Sequence, residues 1–155
     1  FTYYIVGSLK DEIYAERIKT LISDKGLSDK VKLTGSLSES ELNDLYDRAD
    51  LFILTPVSEG LKFEGFGLVY LEANSMGVPA VSMKGSGAEE VILDGQNGYL
   101  AKAGDVEDLS SKIFQILSDE SSYDKMSFGS LERAKELNWS KVIQRYILIY
   151  NQVKK

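Results

Sequence analysis

Two short runs, Leu51-Phe52-Ile53-Leu54 and Ala80-Val81-Ser82-Met83, constrain the fold of this chain more than any other feature. Both are nearly continuous apolar stretches without polar alternation, the pattern of strands covered on both faces in a parallel sheet. A parallel pair needs a long crossover, usually a helix. Residues 55 to 65 supply a loop and residues 67 to 76 a helical pattern, ended by Gly77-Val78-Pro79.

The same alternation extends both ways along the chain. Tyr3-Tyr4-Ile5-Val6 reads as a buried strand ended by Gly7-Ser8. Ile13, Arg17, Ile18, Leu21 and Ile22 then recur at helical spacing as far as Gly26, a C′ residue. Val31-Lys32-Leu33 predicts a second strand, closed by Gly35. Ser38 with Glu41 forms a capping-box pattern before a helix bearing Leu42, Leu45, Tyr46 and Ala49 on one face. After residue 83, Gly85-Ser86-Gly87 turns into a short helix near 88 to 93. The Asp94-Gly95-Gln96-Asn97-Gly98 turn leads to a brief strand at Tyr99-Leu100. The rest is helical: Leu109, Ile113, Ile116 and Leu117 share one face, and Ile143, Tyr146, Ile147 and Tyr150 another. The expected fold class is α/β, a Rossmann-like doubly wound parallel sheet with right-handed crossovers and extra C-terminal helices.

Composition narrows the function classes. The 155 residues make roughly one domain, large enough to bury a core without disulfides or metals. No cysteine is present, so there is no thiolate nucleophile or Cys-ligated metal, and a reducing, cytoplasmic setting is the expectation. The net charge of −6 argues against nucleic acid as a partner. No apolar run reaches the roughly 18 residues of a membrane span, and no signal-peptide pattern opens the chain. Phe1 is not an initiator Met and already borders a strand, so an excerpt of a longer protein is expected.

Ligands of open α/β sheets bind beyond the carboxyl ends of the strands. The loop after the third strand lies at that edge and passes through Glu64-Gly65-Phe66-Gly67 directly into a helix. Its glycines permit close backbone approach, and the first-turn N–H groups of the helix form an anion site. Glu72 lies about two turns beyond Glu64. A carboxylate accepts two hydrogen bonds from a vicinal diol. Glycines for phosphate and two acids for two polyols point to a nucleotide sugar.

The stretch Glu64-Gly65-Phe66-Gly67-Leu68-Val69-Tyr70-Leu71-Glu72-Ala73 closely resembles the E-x7-E signature of retaining GT-B glycosyltransferases, particularly glycosyltransferase family 4. Ala49-Asp50-Leu51, Met76-Gly77-Val78-Pro79-Ala80-Val81, the segment 85 to 90, the turn 94 to 100 and Asn138-Trp139-Ser140 follow in that family's order. The resemblance implies the C-terminal half of a GT-B fold, with residues 1–155 as the nucleotide-sugar (donor) domain and an N-terminal acceptor domain absent from this chain. It assigns Glu64 to hydroxyls of the donor sugar as the catalytic-site acid and Glu72 to the ribose diol. Gly65, Phe66, Gly67 and Leu68 fall on the pyrophosphate-binding turn, and Lys32 and Leu33 on the base-binding edge.

The function implied is hexose transfer from a UDP-, GDP- or ADP-linked donor, as substrate and without a cofactor, to a glycan or lipid-linked acceptor. The full-length enzyme would sit in the cytoplasm or at the inner face of the membrane, as a peripheral protein. No metal is expected, because no Asp-x-Asp cluster is present. Two departures bear on activity. The family's Arg and Lys on the diphosphate precede the point where this chain begins, and its catalytic His belongs to the acceptor domain; this chain contains no His. Weak donor binding and no turnover are therefore expected of the chain alone. Leu61-Lys62-Phe63 lengthens the loop, as in members acting on lipid-linked or polysaccharide acceptors.

Simpler readings stand beside these. Glu64 and Glu72 are also ordinary helix-start carboxylates. Gly85-Ser86-Gly87 is either a tight turn or a wall facing the donor sugar, and Lys62 and Lys84 are either solvated or phosphate-directed. Trp139 reads as an anchor for the closing helices, and Tyr3, Tyr4, Tyr146 and Tyr150 as core or helix-packing residues. A non-catalytic GT-B-like binding module and a sugar-nucleotide epimerase-type enzyme remain as alternatives.

Overall fold

The computed structural model describes residues 1–56 and 66–153. The chain forms two compact units, Phe1–Leu45 and Tyr46–Lys155, and the division falls in the second helix.

In the first unit, β1 (Tyr3–Val6) and β2 (Val31–Gly35) pair in parallel, with Tyr3 opposite Val31 and Ile5 opposite Leu33. The crossover is α1 (Glu12–Asp24). Its first turn is capped by the Asp11 carboxylate, which accepts from the Tyr14 N–H at 3.0 Å. It ends as the glycine predicts: Gly26 takes a left-handed φ of 64°. The Leu27 N–H then reaches the Ile22 carbonyl and the Gly26 N–H the Ser23 carbonyl, both at 2.9 Å. Of the expected apolar face, only Ile18 and Ile22 turn inward, beside Ala15; Ile13, Arg17 and Leu21 are exposed. Helical spacing identifies a common face but not which flank of it the sheet covers. Tyr3 and Tyr4 are likewise not fully buried: among the described residues β1 has a single neighbouring strand in its sheet, and the two are 39% and 45% exposed. The capping box opens α2 (Glu39–Asp47) as expected, the Glu41 carboxylate accepting from the Ser38 N–H at 2.8 Å and its hydroxyl at 2.6 Å.

The second unit holds a parallel sheet in the order β3-β4-β5, with β3 (Phe52–Ile53), β4 (Ala80–Met83) and β5 (Gly98–Ala101). Crossover α3 (Leu68–Ser75) joins β3 to β4. Helices α4 (Val106–Leu117), α5 (Glu120–Glu136) and α6 (Trp139–Val153) close the chain. Strand β4 explains why its sequence lacks alternation. On one face Ala80 packs with Tyr70, Ala88, Val91, Ile92 and Leu100; on the other Val81 packs with Ile116 and Met126. Both faces are covered, so both parities must be apolar or internally bonded. Ser82 meets the second condition through the Tyr70 hydroxyl at 2.8 Å.

The short helix expected near 88 to 93 is a 3-10 turn at Gly87–Glu90. Beyond its C-cap at Val91, the Asn97 side-chain oxygen takes the Leu93 N–H at 2.7 Å, so no helix continues there. The closing helix departs from expectation more sharply. Ile143, Tyr146, Ile147 and Tyr150 do share a face of α6, yet α6 has no buried residue, and Trp139 is 73% exposed. None of these is a core residue among the described residues. Helical period guarantees a common stripe, whereas burial needs a second surface that a local pattern does not specify. Among the described residues, no helix is long and apolar enough to cross a membrane.

Candidate functional site

The first turn of α3 lies at the carboxyl end of the second unit's sheet. Tyr70, in that turn, is fully buried, and its hydroxyl bonds the Leu54 carbonyl at 3.1 Å, just past β3, and Ser82 near the end of β4. This clamp fixes the direction from which α3 starts.

The helix start differs from the others in its capping. Asp11, Asp105 and Asp119 cap α1, α4 and α5 with carboxylates. The N-cap of α3 is Gly67, left-handed at φ 75° and ψ 62°, with no side-chain cap and no acid in the first turn. Glycine is required there because a Cβ is disfavoured at that φ. The first N–H groups thus keep their partial positive charge unneutralised by any side chain on the helix, the condition for receiving an anion.

Of the residues assigned from sequence, Phe66, Gly67, Leu68 and Glu72 gather along this helix start. Gly67 is buried, while Phe66 and Leu68 are 37% and 54% exposed. Glu72 follows Leu68 by one turn, on the same side of the helix. Glu64 and Gly65, with Lys62, lie outside the described residues. Lys32 and Leu33 are on β2 in the other unit; Leu33 is half-buried, and the Lys32 ammonium donates to the Ser28 carbonyl at 3.3 Å. The Gly85 N–H is taken by the Glu89 carboxylate at 2.6 Å, which is the tight-turn reading of Gly85-Ser86-Gly87. Lys84 is exposed. Among the described residues, no group of three or more His, Cys, Asp or Glu is placed to hold a metal ion.

Glu72 has a partner that the sequence did not announce. The Tyr46 hydroxyl, from the end of α2, donates to Glu72 Oε2 at 3.3 Å. Burial, with the Glu72 carboxylate beside it, pushes the Tyr46 phenol well above the ordinary tyrosine range, so it stays protonated and donating at neutral pH. Spacing marked Tyr46 only as part of an apolar face; nothing in it signals a contact 26 residues away. A raised folded-state value means the protonated phenol stabilises the fold below the unfolded pKa of about 10 and that this stabilisation is lost as pH rises beyond it. Thermal melting from pH 8 to 11 should therefore show a fall in Tm above about pH 10 that Tyr46→Phe reduces. An equal fall in the variant would contradict the coupling.

Parallel strands with covered faces, and a helix start at their carboxyl edge stripped of side-chain caps, place this molecule in the Rossmann-like α/β class. The chain belongs to the family of glycosyl transferases group 1, whose model matches residues 1–132. It is 34% identical over 108 residues to the GDP-mannose-dependent alpha-(1-6)-phosphatidylinositol monomannoside mannosyltransferase of Mycolicibacterium smegmatis, covering 68% of this chain and 28% of that protein. It is 32% identical over 150 residues to the poly(glycerol-phosphate) alpha-glucosyltransferase of Bacillus subtilis, covering 96% of this chain and 21% of that one. Anabaena HepE, solved in complex with UDP, superposes with a TM-score of 0.84 at 24% identity, over 97% of this chain and 41% of its own; that likeness is one of fold. The matched part of the chain therefore spans only 21% to 28% of the length of these two curated relatives.

Proposed function

We propose that residues 1–155 are the donor domain of a retaining glycosyltransferase. The intact enzyme would move a hexose from a UDP-, GDP- or ADP-linked donor to a glycan or lipid-linked acceptor held by a separate N-terminal domain. Family membership and the names of the curated relatives, one of them GDP-mannose-dependent, support the substrate class. The observation that carries the reading in this chain is the uncapped, acid-free first turn of α3, with Glu72 one turn below it.

In this reading the N–H groups of that turn face the diphosphate. As the bond from the anomeric carbon to the leaving phosphate oxygen breaks, negative charge grows on the nucleoside diphosphate. Fixed N–H dipoles stabilise that charge without reorganising, so the protein need not supply a nucleophile. Glu72 receives the ribose diol, Glu64 the hydroxyls of the donor sugar, and the edge at Lys32 and Leu33 the base. Gly65, Phe66, Gly67 and Leu68 contribute backbone to the diphosphate turn. The intact enzyme works in the cytoplasm or at the inner membrane face, and the chain alone binds donor weakly and does not turn it over.

The test uses the intact protein. Glu72→Ala should weaken binding of the nucleoside diphosphate by about tenfold or more, the worth of hydrogen bonds to a charged group. Calorimetry with UDP, GDP and ADP measures this, and unchanged affinity in the variant would rule out the ribose role. An intact protein that binds these nucleotides yet transfers no hexose from any corresponding sugar nucleotide would instead be a binding module.

A further inference from the structure

The Tyr46–Glu72 contact assigns a residue to the ribose subsite that no motif marks. We propose that Tyr46 is a positioning residue, whose hydroxyl holds the Glu72 carboxylate in the orientation that receives the vicinal diol of a nucleoside diphosphate. This inference rests on the ribose role proposed above for Glu72.

The geometry supports it from both ends of the bond. Glu72 is exposed on α3, and an exposed glutamate side chain samples many rotamers unless something restrains it. The restraint here is a rigid group. Tyr46 is 6% exposed, and its ring packs edge-on against Phe52, with centroids 5.9 Å apart and planes at 61°. Phe52 packs in turn against Tyr70, at 5.5 Å and 80°. Tyr70 is pinned to the sheet through Leu54 and Ser82. A continuous aromatic relay thus runs from the strand ends to the Tyr46 hydroxyl, and that hydroxyl cannot follow Glu72 if the carboxylate swings away.

The bond also leaves the carboxylate able to work. Tyr46 donates to Oε2 alone, and no described group donates to Oε1. A carboxylate offers about four lone-pair sites, so two ribose hydroxyls can bind beside the phenol. Because the phenol keeps its proton, it adds a donor beside the carboxylate and no second negative charge near a diphosphate. Sequence alone presents Tyr46 as one more apolar-face residue; its polar tip gains a task only through the fold.

The experiment compares ribose-specific affinity in the intact protein. UDP and 2′,3′-dideoxy-UDP are titrated by calorimetry, with the GDP and ADP pairs in parallel, into the unmodified protein, Tyr46→Phe and Glu72→Ala. The unmodified protein should prefer the ribonucleotide by about tenfold. Tyr46→Phe, which keeps the ring and its packing, should cut that preference to roughly two- to threefold while leaving dideoxynucleotide affinity unchanged. A purely structural role would weaken both ligands equally and keep the ratio, and that result overturns the proposal. Collapse of the ratio in Glu72→Ala with retention in Tyr46→Phe overturns the positioning role alone. A ratio unaffected by Glu72→Ala, or no binding of any of the nucleotides, overturns the ribose assignment and this inference with it.

Discussion

Asn97→Ala is expected to destabilise the fold by about 3 to 5 kcal/mol, a large share of a typical domain's total. Asn97 is 1% exposed, and its amide is used at both ends. Its oxygen accepts from the Leu93 N–H at 2.7 Å. Its nitrogen donates to the Asn74 side-chain oxygen at 2.7 Å and the Val91 carbonyl at 3.2 Å. Asn74, fully buried, donates onward to the Val78 carbonyl at 2.9 Å. The pair therefore ties the end of α3 and the entry to β4 to the turn that enters β5. Truncation strips the partner from the part-buried Leu93 N–H and from the buried Asn74 oxygen, while Val91 keeps its bond from Arg133 at 3.0 Å. Urea denaturation followed by circular dichroism measures the loss, and a change below about 1 kcal/mol would show that the network is dispensable.

Asn97→Asp sharpens the same prediction. It preserves shape and the acceptor for Leu93, but turns an oxygen toward the Asn74 oxygen and the Val91 carbonyl. A carboxyl buried among acceptors holds its proton, so its folded-state pKa rises above the unfolded value of about 3.9. The variant should then be nearest to the parent in stability below about pH 4 and fall behind as pH rises.

Gly129→Ala should be comparably damaging, by about 3 kcal/mol, although local reasoning gives the opposite sign. Gly129 lies inside α5, where alanine normally improves a helix by up to about 1 kcal/mol. A Cβ at this position would stand 2.2 Å from the Gln96 carbonyl oxygen and 3.0 Å from its carbon. Those atoms are backbone of the turn that contains Asn97, so neither helix nor turn can yield without disturbing the buried amide pair. Gly7→Ala is the control, since an added Cβ there meets nothing within 4 Å. If Gly129→Ala raised Tm, the close packing of α5 on that turn would be refuted.

These positions divide what was legible in the sequence from what was not. The strands at Tyr3–Val6 and Ala80–Met83 lie where short apolar runs placed them, and α3 occupies the segment its flanking glycines delimit. Each of those signals is local: a run of side chains, a left-handed glycine, a reciprocal cap at Ser38 and Glu41. The start of the candidate site was legible for the same reason, because Gly67 and Glu72 are separated by a single short stretch of helix. The outward faces of Ile13 and Leu21, the exposed stripe on α6 and the 3-10 turn at Gly87–Glu90 were not legible. Each depends on a surface or a side chain from elsewhere in the chain.

By itself, then, the sequence determined the α/β alternation, the family resemblance and the carboxylates and glycines suited to a nucleotide sugar. Only the tertiary structure decided which polar groups meet across the fold: Tyr46 on Glu72, Tyr70 on Leu54 and Ser82, Asn97 on Asn74. The reason is physical. Backbone conformation and amphipathic period depend on neighbours within a turn or two, which a linear reading contains. A hydrogen bond between residues 23 or 26 positions apart depends on the packing that brings the two partners together.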